Sequence, residues 1–135
     1  MSIDIDGPGC RWSKLFVRGT VEVVRDGKGE RMGNIDFDEI SQRSVGPYSD
    51  GVGKFVGVNG LEISRVEFTK GRGGGAHQHD GYQVVVVVSG RMAPQVGEEH
   101  FEVGPGGAWI VPADTEHEAR CLSDAVVVSI REIRK

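Results

Sequence analysis

The stretch "GRGGGAHQHDGYQVVVVVSGR", residues 71–91, decides how the whole chain is read. It joins a glycine cluster, two of the four histidines, one glutamine and a run of five valines. An unbroken run of β-branched residues between turn formers reads as a strand. With no polar side, "VVVVV" is expected to be covered on both faces. Just upstream, His77 and His79 are spaced i, i+2. On a strand over 76–79 that spacing turns both imidazoles to one side. The turn "DGY" is expected to bring Gln83 and its strand back beside the first one.

Working outward, the same grammar recurs. Strands are expected at about 13–18, 20–25, 54–58, 61–69, 83–89, 92–96, 99–103, 108–111, 117–122 and 125–131. Their separators, "NG", "KGRGGG", "SGR", "VGE", "GPGG" and "PADTE", carry turn chemistry. The chain holds 21 glycines with no collagen period, which suits many short strands. Only 35–42, "IDFDEISQ", suggests a helical turn. An all-β antiparallel sandwich or barrel follows. At 135 residues the chain has room for one such core. Residues 35–135 are read as that single domain. Residues 1–34, with the loose segment "DGKGERMGN", are read as an N-terminal arm or added strands.

Composition excludes several partners. A net charge of -4 with scattered Lys and Arg does not suit a nucleic-acid backbone. No apolar stretch reaches the roughly 20 residues of a membrane helix, and "MSIDIDGPGCRW" has no signal-peptide pattern. Cys10 and Cys121 make no disulfide framework, so a reducing cytoplasm is the expected setting. The outer sheet face and the 1–34 arm need cover, so a homodimer is expected.

The chemistry-bearing residues are His77, His79, Gln83 and, after "WIVPADTE", His117. Three imidazoles and one amide oxygen can form one side of an octahedral metal site, leaving positions for water or substrate. An isolated H-x-H is common by chance. The joint spacing is not. From Gly71 five residues lead to His77, one more to His79, three to Gln83 and six to Gly90. From Gly106 five residues lead to Pro112, one to Asp114 and two to His117. His100 has no partner at ligand spacing and reads as a surface or edge residue.

These offsets resemble the two-part signature of the cupin superfamily, in which H-x-H, a Glu and a glycine are followed by a glycine, a Pro-x-Gly turn and a third His. The resemblance spans roughly residues 40–130. Gln83 stands in the place of Glu, Asp114 in that of Gly, and Cys121 in that of a loosely kept Asn. The resemblance implies a double-stranded β-helix barrel of jelly-roll type, usually dimeric. It also implies one divalent ion (Fe, Mn, Ni, Co or Zn) held by His77, His79, Gln83 and His117. The H-x-H-x3-Q variant is similar to cupins that open unsaturated uronates and to polyketide cyclase cupins.

A glutamine in the donor set has a physical consequence. All four donors are then neutral and the ion keeps its full charge, which favours anion binding and carbonyl polarisation. The expected function is a metal-dependent lyase, isomerase or cyclase acting on a small oxygenated anion. An Fe(II) dioxygenase and a non-enzymatic ligand-binding cupin are the alternatives. Tyr82, Cys121 and Arg65 are the candidate catalytic residues. Cys121 is either a thiol in the barrel interior or a small buried filler. Arg65 and Arg131 bind a substrate carboxylate if they face inward and are surface charges if they do not. The C-terminal strand lacks the Asp and aromatic residue expected of the uronate enzymes. "GRGGG" has no following Lys-Ser/Thr and no helix, so it reads as a flexible loop and not a phosphate cradle.

Overall fold

The computed structural model describes residues 34–133, together with the backbone of strands at 12–17 and 20–25. Twelve strands form one curled sheet. In chain order they are β1 (Trp12–Val17), β2 (Thr20–Arg25), β3 (Arg43–Gly46), β4 (Ser49–Val58), β5 (Leu61–Phe68) and β6 (Gly73–His77). They continue as β7 (Gln83–Ser89), β8 (Met92–Val96), β9 (Glu99–His100), β10 (Ala108–Val111), β11 (His117–Cys121) and β12 (Ala125–Glu132). The main path runs β10-β7-β12-β5-β4-β6-β11-β8-β9. All pairings are antiparallel except β2 with β4. The fold is an all-β barrel built almost wholly from antiparallel pairs, as the strand pattern predicts. A short 3-10 turn, Phe37–Glu39, is capped by the Asp36 carboxylate accepting from the Asp38 N–H. Among the described residues no helix is long and apolar enough to cross a membrane.

Register explains how the barrel interior is graded. Val87, Val127 and Val66 lie side by side across β7, β12 and β5. With Val85, Met92, Trp109, Val111, Cys121 and Ala125 they form the buried apolar cluster. Two residues along each strand come Val85, Ser129, Ser64 and Phe55. Two further on come Gln83, Arg131 and Glu62. The inward face therefore runs from an apolar floor, through two buried serines, to a polar rim. Period-two alternation keeps every one of these residues on the same side of its strand.

Several expectations are corrected. "DGY" is not a hairpin: β6 pairs with β4 and β11, whereas β7 pairs with β10 and β12. The turn carries the chain from one side of the barrel to the other. β6 ends at His77, so His79 lies beyond the strand and not on it. "VVVVV" is fully buried on one face only, with Val84 and Val86 half-buried on the other. Val85 and Val87 are buried, but Val88 is 54% exposed, and Ile110 beside that strand is 60% exposed. The outer face escapes notice in sequence because valine on a sheet surface looks the same whether or not it is covered.

The strand expected at 54–58 begins at Ser49 and pairs with β3, which the Gly/Pro-rich stretch 43–53 conceals. The strand expected over 99–103 is only Glu99–His100, followed by a bridge from Val103 to Met92. In the arm, β1 and β2 pair antiparallel. "DGKGERMGN", apart from its last residue, and Cys10 lie outside the described residues.

Candidate metal centre

His77 is the last residue of β6 and His117 the first of β11, and the two are directly paired in register. Their ring centroids are 4.3 Å apart. His79 arrives from the loop, held because its carbonyl accepts from the Asp114 N–H at 2.8 Å. Its ring lies 4.7 Å from that of His117 and 6.0 Å from that of His77. Asp114 takes a left-handed conformation, φ 57°, at the position where the signature has glycine. Asp tolerates that region, so the turn survives the replacement. One backbone hydrogen bond thus joins the two halves of the signature.

The three imidazoles are oriented alike. Each Nδ1 faces a backbone carbonyl: Gly75 at 2.6 Å for His77, Gly81 at 2.9 Å for His79 and Thr115 at 2.8 Å for His117. A carbonyl only accepts, so each Nδ1 carries the proton and each Nε2 is left with its lone pair. One ligand atom from each ring falls within 4.8 Å of the others. His117 is 8% exposed, and its Nε2 is buried with no hydrogen-bond partner. A buried nitrogen left unsatisfied is costly, and a cation at the shared focus removes that cost. His77, His79 and His117 are a group able to hold a metal ion.

Gln83, the first residue of β7, reaches the same focus. Its Oε1 is 3.1 Å from His79 Nε2, while its Nε2 donates to the Ser129 hydroxyl at 2.7 Å. In this orientation the amide donates to the serine hydroxyl and turns its oxygen towards the histidines. Oε1 and His79 Nε2 are then both acceptors, and a cation between them reconciles their approach.

Other expected residues are placed elsewhere. Cys121 is 1% exposed and sits in the apolar cluster, its thiol donating to the Thr69 carbonyl. It is the buried filler. Arg65 faces outward, beside Val128 in register, and its guanidinium meets Asp38 at 3.0 Å. Tyr82 is 50% exposed and is tied to Glu132 through its backbone. None of the three is brought to the histidines. His100 is an exposed residue of a short edge strand. Arg131, in contrast, lies on the inward rim next to Gln83. Tyr48, missed in sequence, stacks on His77 at 5.4 Å with the rings 9° from parallel.

Burial holds the His117 pKa below its ordinary 6.5, opposed by the hydrogen bond to the Thr115 carbonyl and aided by the charges of His77, His79 and Arg131. The folded chain therefore refuses a proton that the unfolded chain accepts. The stability this contributes is complete above about pH 6.5 and is lost as pH falls through the lower folded value. Chelator-treated protein should show a falling urea midpoint over that window, and His117→Gln should flatten this component.

Residues 64–131 match the family model described as "Cupin domain". No curated protein matches the chain by sequence. Among solved structures, KdgF from Halomonas sp. is similar at 27% identity and TM-score 0.68, covering 78% of this chain and 96% of its own. An RmlC-like cupin from Shewanella frigidimarina NCIMB 400 matches at 21% identity and TM-score 0.68, covering 78% and 94%. A predicted oxalate decarboxylase from Thermotoga maritima matches at 11% identity and TM-score 0.63, covering 76% and 100%.

Proposed function

The chain belongs to the cupin family, and from that premise we propose that it is a metal-dependent enzyme of lyase, isomerase or cyclase type acting on a small oxygenated anion. The carrying observation is the buried, unpartnered Nε2 of His117, converging with His77 and His79 on one focus. Gln83 Oε1 is the fourth donor in this reading, with the amide nitrogen bonded to Ser129. When bound, a divalent ion supplies Lewis-acid polarisation of a carbonyl or enolate oxygen.

This chain's residues set the terms for that chemistry. Three neutral imidazoles and one neutral amide subtract no charge from the ion, so an anionic substrate is attracted and not repelled. The backbone carbonyls of Gly75, Gly81 and Thr115 fix the imidazole tautomers before anything binds. The two serines and the apolar floor shield one side of the focus from water, which strengthens electrostatic interactions there. The sequence similarity to uronate-opening cupins supports a sugar acid as the anion.

Metal-loaded protein incubated in D2O with unsaturated uronates and 2-oxo sugar acids should catalyse isomerisation, or C–H exchange next to the carbonyl, as followed by NMR. It should consume no oxygen. Gln83→Glu should bind the ion more tightly yet slow the exchange. Iron-dependent oxygen uptake without exchange would instead establish a dioxygenase.

A further inference from the structure

The polar rim contains more than the histidines require. Arg131 is the register partner of both Gln83 and Glu62, so the three stand in one row across β7, β12 and β5. Residues paired this way have Cβ atoms about 4.5–5.5 Å apart. Arg131 therefore emerges one strand away from Gln83 and into the same barrel mouth. Its Nη2 donates to Glu62 Oε1 at 3.2 Å. That contact uses one of the five guanidinium donors. The Glu62 side chain is 17% exposed and that of Arg131 34%, so the carboxylate is the more deeply set and the guanidinium reaches the opening.

Arg43 joins them. It is the register partner of the inward-facing Gly53, and its guanidinium carbon lies 3.7 Å over the Phe55 ring. Burial is the main influence holding its pKa down, and the charges of Glu62 and Arg131 act on it with opposite signs. Arg43 and Arg131 thus bring two guanidinium groups to the wall that carries Glu62. A guanidinium next to a neutral donor set is complementary to an anion.

We infer that Arg131, held by Glu62 and flanked by Arg43, binds the carboxylate of the substrate beside the three-histidine focus, so that the substrate is a carboxylic acid. This deepens the proposed function and rests on it. Glu62 is a positioning residue, acting on the substrate through Arg131. A guanidinium fork fixed at one edge presents its other edge in a set plane, which suits a planar carboxylate better than a point charge does.

The test uses pyruvate as the carboxylate probe and pyruvamide as its neutral counterpart, titrated into the full chain with and without bound Mn²⁺. Arg131→Gln should weaken pyruvate binding at least about tenfold. It should leave pyruvamide and Mn²⁺ affinity within about twofold. Arg131→Lys should recover part of the loss. The double variant Glu62→Gln/Arg131→Gln removes both charges together and should lose the same preference, which covers a folding defect from a stranded glutamate. An unchanged preference for pyruvate in folded Arg131→Gln overturns the inference. So does an equal loss for both probes. Because the metal-free arm reads Arg131 directly, failure to bind Mn²⁺ with the Arg131 effect intact sinks the metal reading alone.

Discussion

His117→Ala is expected to raise the dissociation constant for a divalent ion by more than about hundredfold. Loss of a residue that only orients a ligand costs ten- to a hundredfold, and loss of the ligand itself costs more. Three features make His117 the most sensitive of the histidines. It is the buried member of the group. It is paired in register with His77, so its backbone fixes the distance between two donors. Its Nε2 has no partner within the protein, so nothing there compensates for the ion. Competition against a chromophoric chelator would measure the change, and circular dichroism would show that the strands persist. Retained affinity in a folded His117→Ala protein would place the ion elsewhere. The metal-free variant should not be greatly less stable than the metal-free parent, because the substitution also removes an unsatisfied buried nitrogen.

Gly73→Ala should be the most damaging single-methyl change within "GRGGG". A Cβ at Gly73 would overlap the Ala119 carbonyl oxygen and come within 2.7 Å of the Arg120 Cα. Both are backbone atoms of β11, so no side chain can rotate away. β6 and β11 would have to part at Gly73–Arg120, and the same ladder pairs His77 with His117. Overpacking of this kind costs about 3 kcal/mol, or a fall in melting temperature on the order of 10 °C. Metal affinity should fall as well. Gly75→Ala is the internal control, since its Cβ would meet only the Tyr48 carbonyl at 3.7 Å, an ordinary contact. Equal stability of the two variants in thermal melts would refute this account of "GRGGG". The stretch is thus a close-packed approach of two strands. The flexible loop expected from its composition is corrected on that point.

What could be read from residues alone follows from which interactions are local. The offsets that place His77, His79, Gln83 and His117 are legible because a strand's period and a turn's length are fixed by the backbone. The partner of each strand is not local. "DGY" looks the same whether the chain folds back on its own sheet or crosses to the opposite wall, and here it crosses. His79 reaches the focus through a hydrogen bond from Asp114, which lies 35 positions later in the chain. Arg65 and Arg131 were equivalent candidates by composition, and they differ by the parity of their position along a strand. Arg131 is in register with Gln83 and faces inward. Arg65 is in register with Val128 and faces out to Asp38. A one-residue difference in register decides such a choice. Ser129 and Tyr48 carry no motif, and only the assembled barrel shows that one bonds Gln83 and the other stacks on His77.

The central claim is that the three-histidine focus exists to hold a divalent ion. Elemental analysis of protein purified without added metal, run beside His77→Ala prepared identically, tests it most directly. The account predicts close to one divalent ion per chain in the native protein and a marked loss in the variant. Native protein that carries no divalent ion and takes up none on dialysis against Fe²⁺, Mn²⁺, Ni²⁺, Co²⁺ or Zn²⁺ would contradict it.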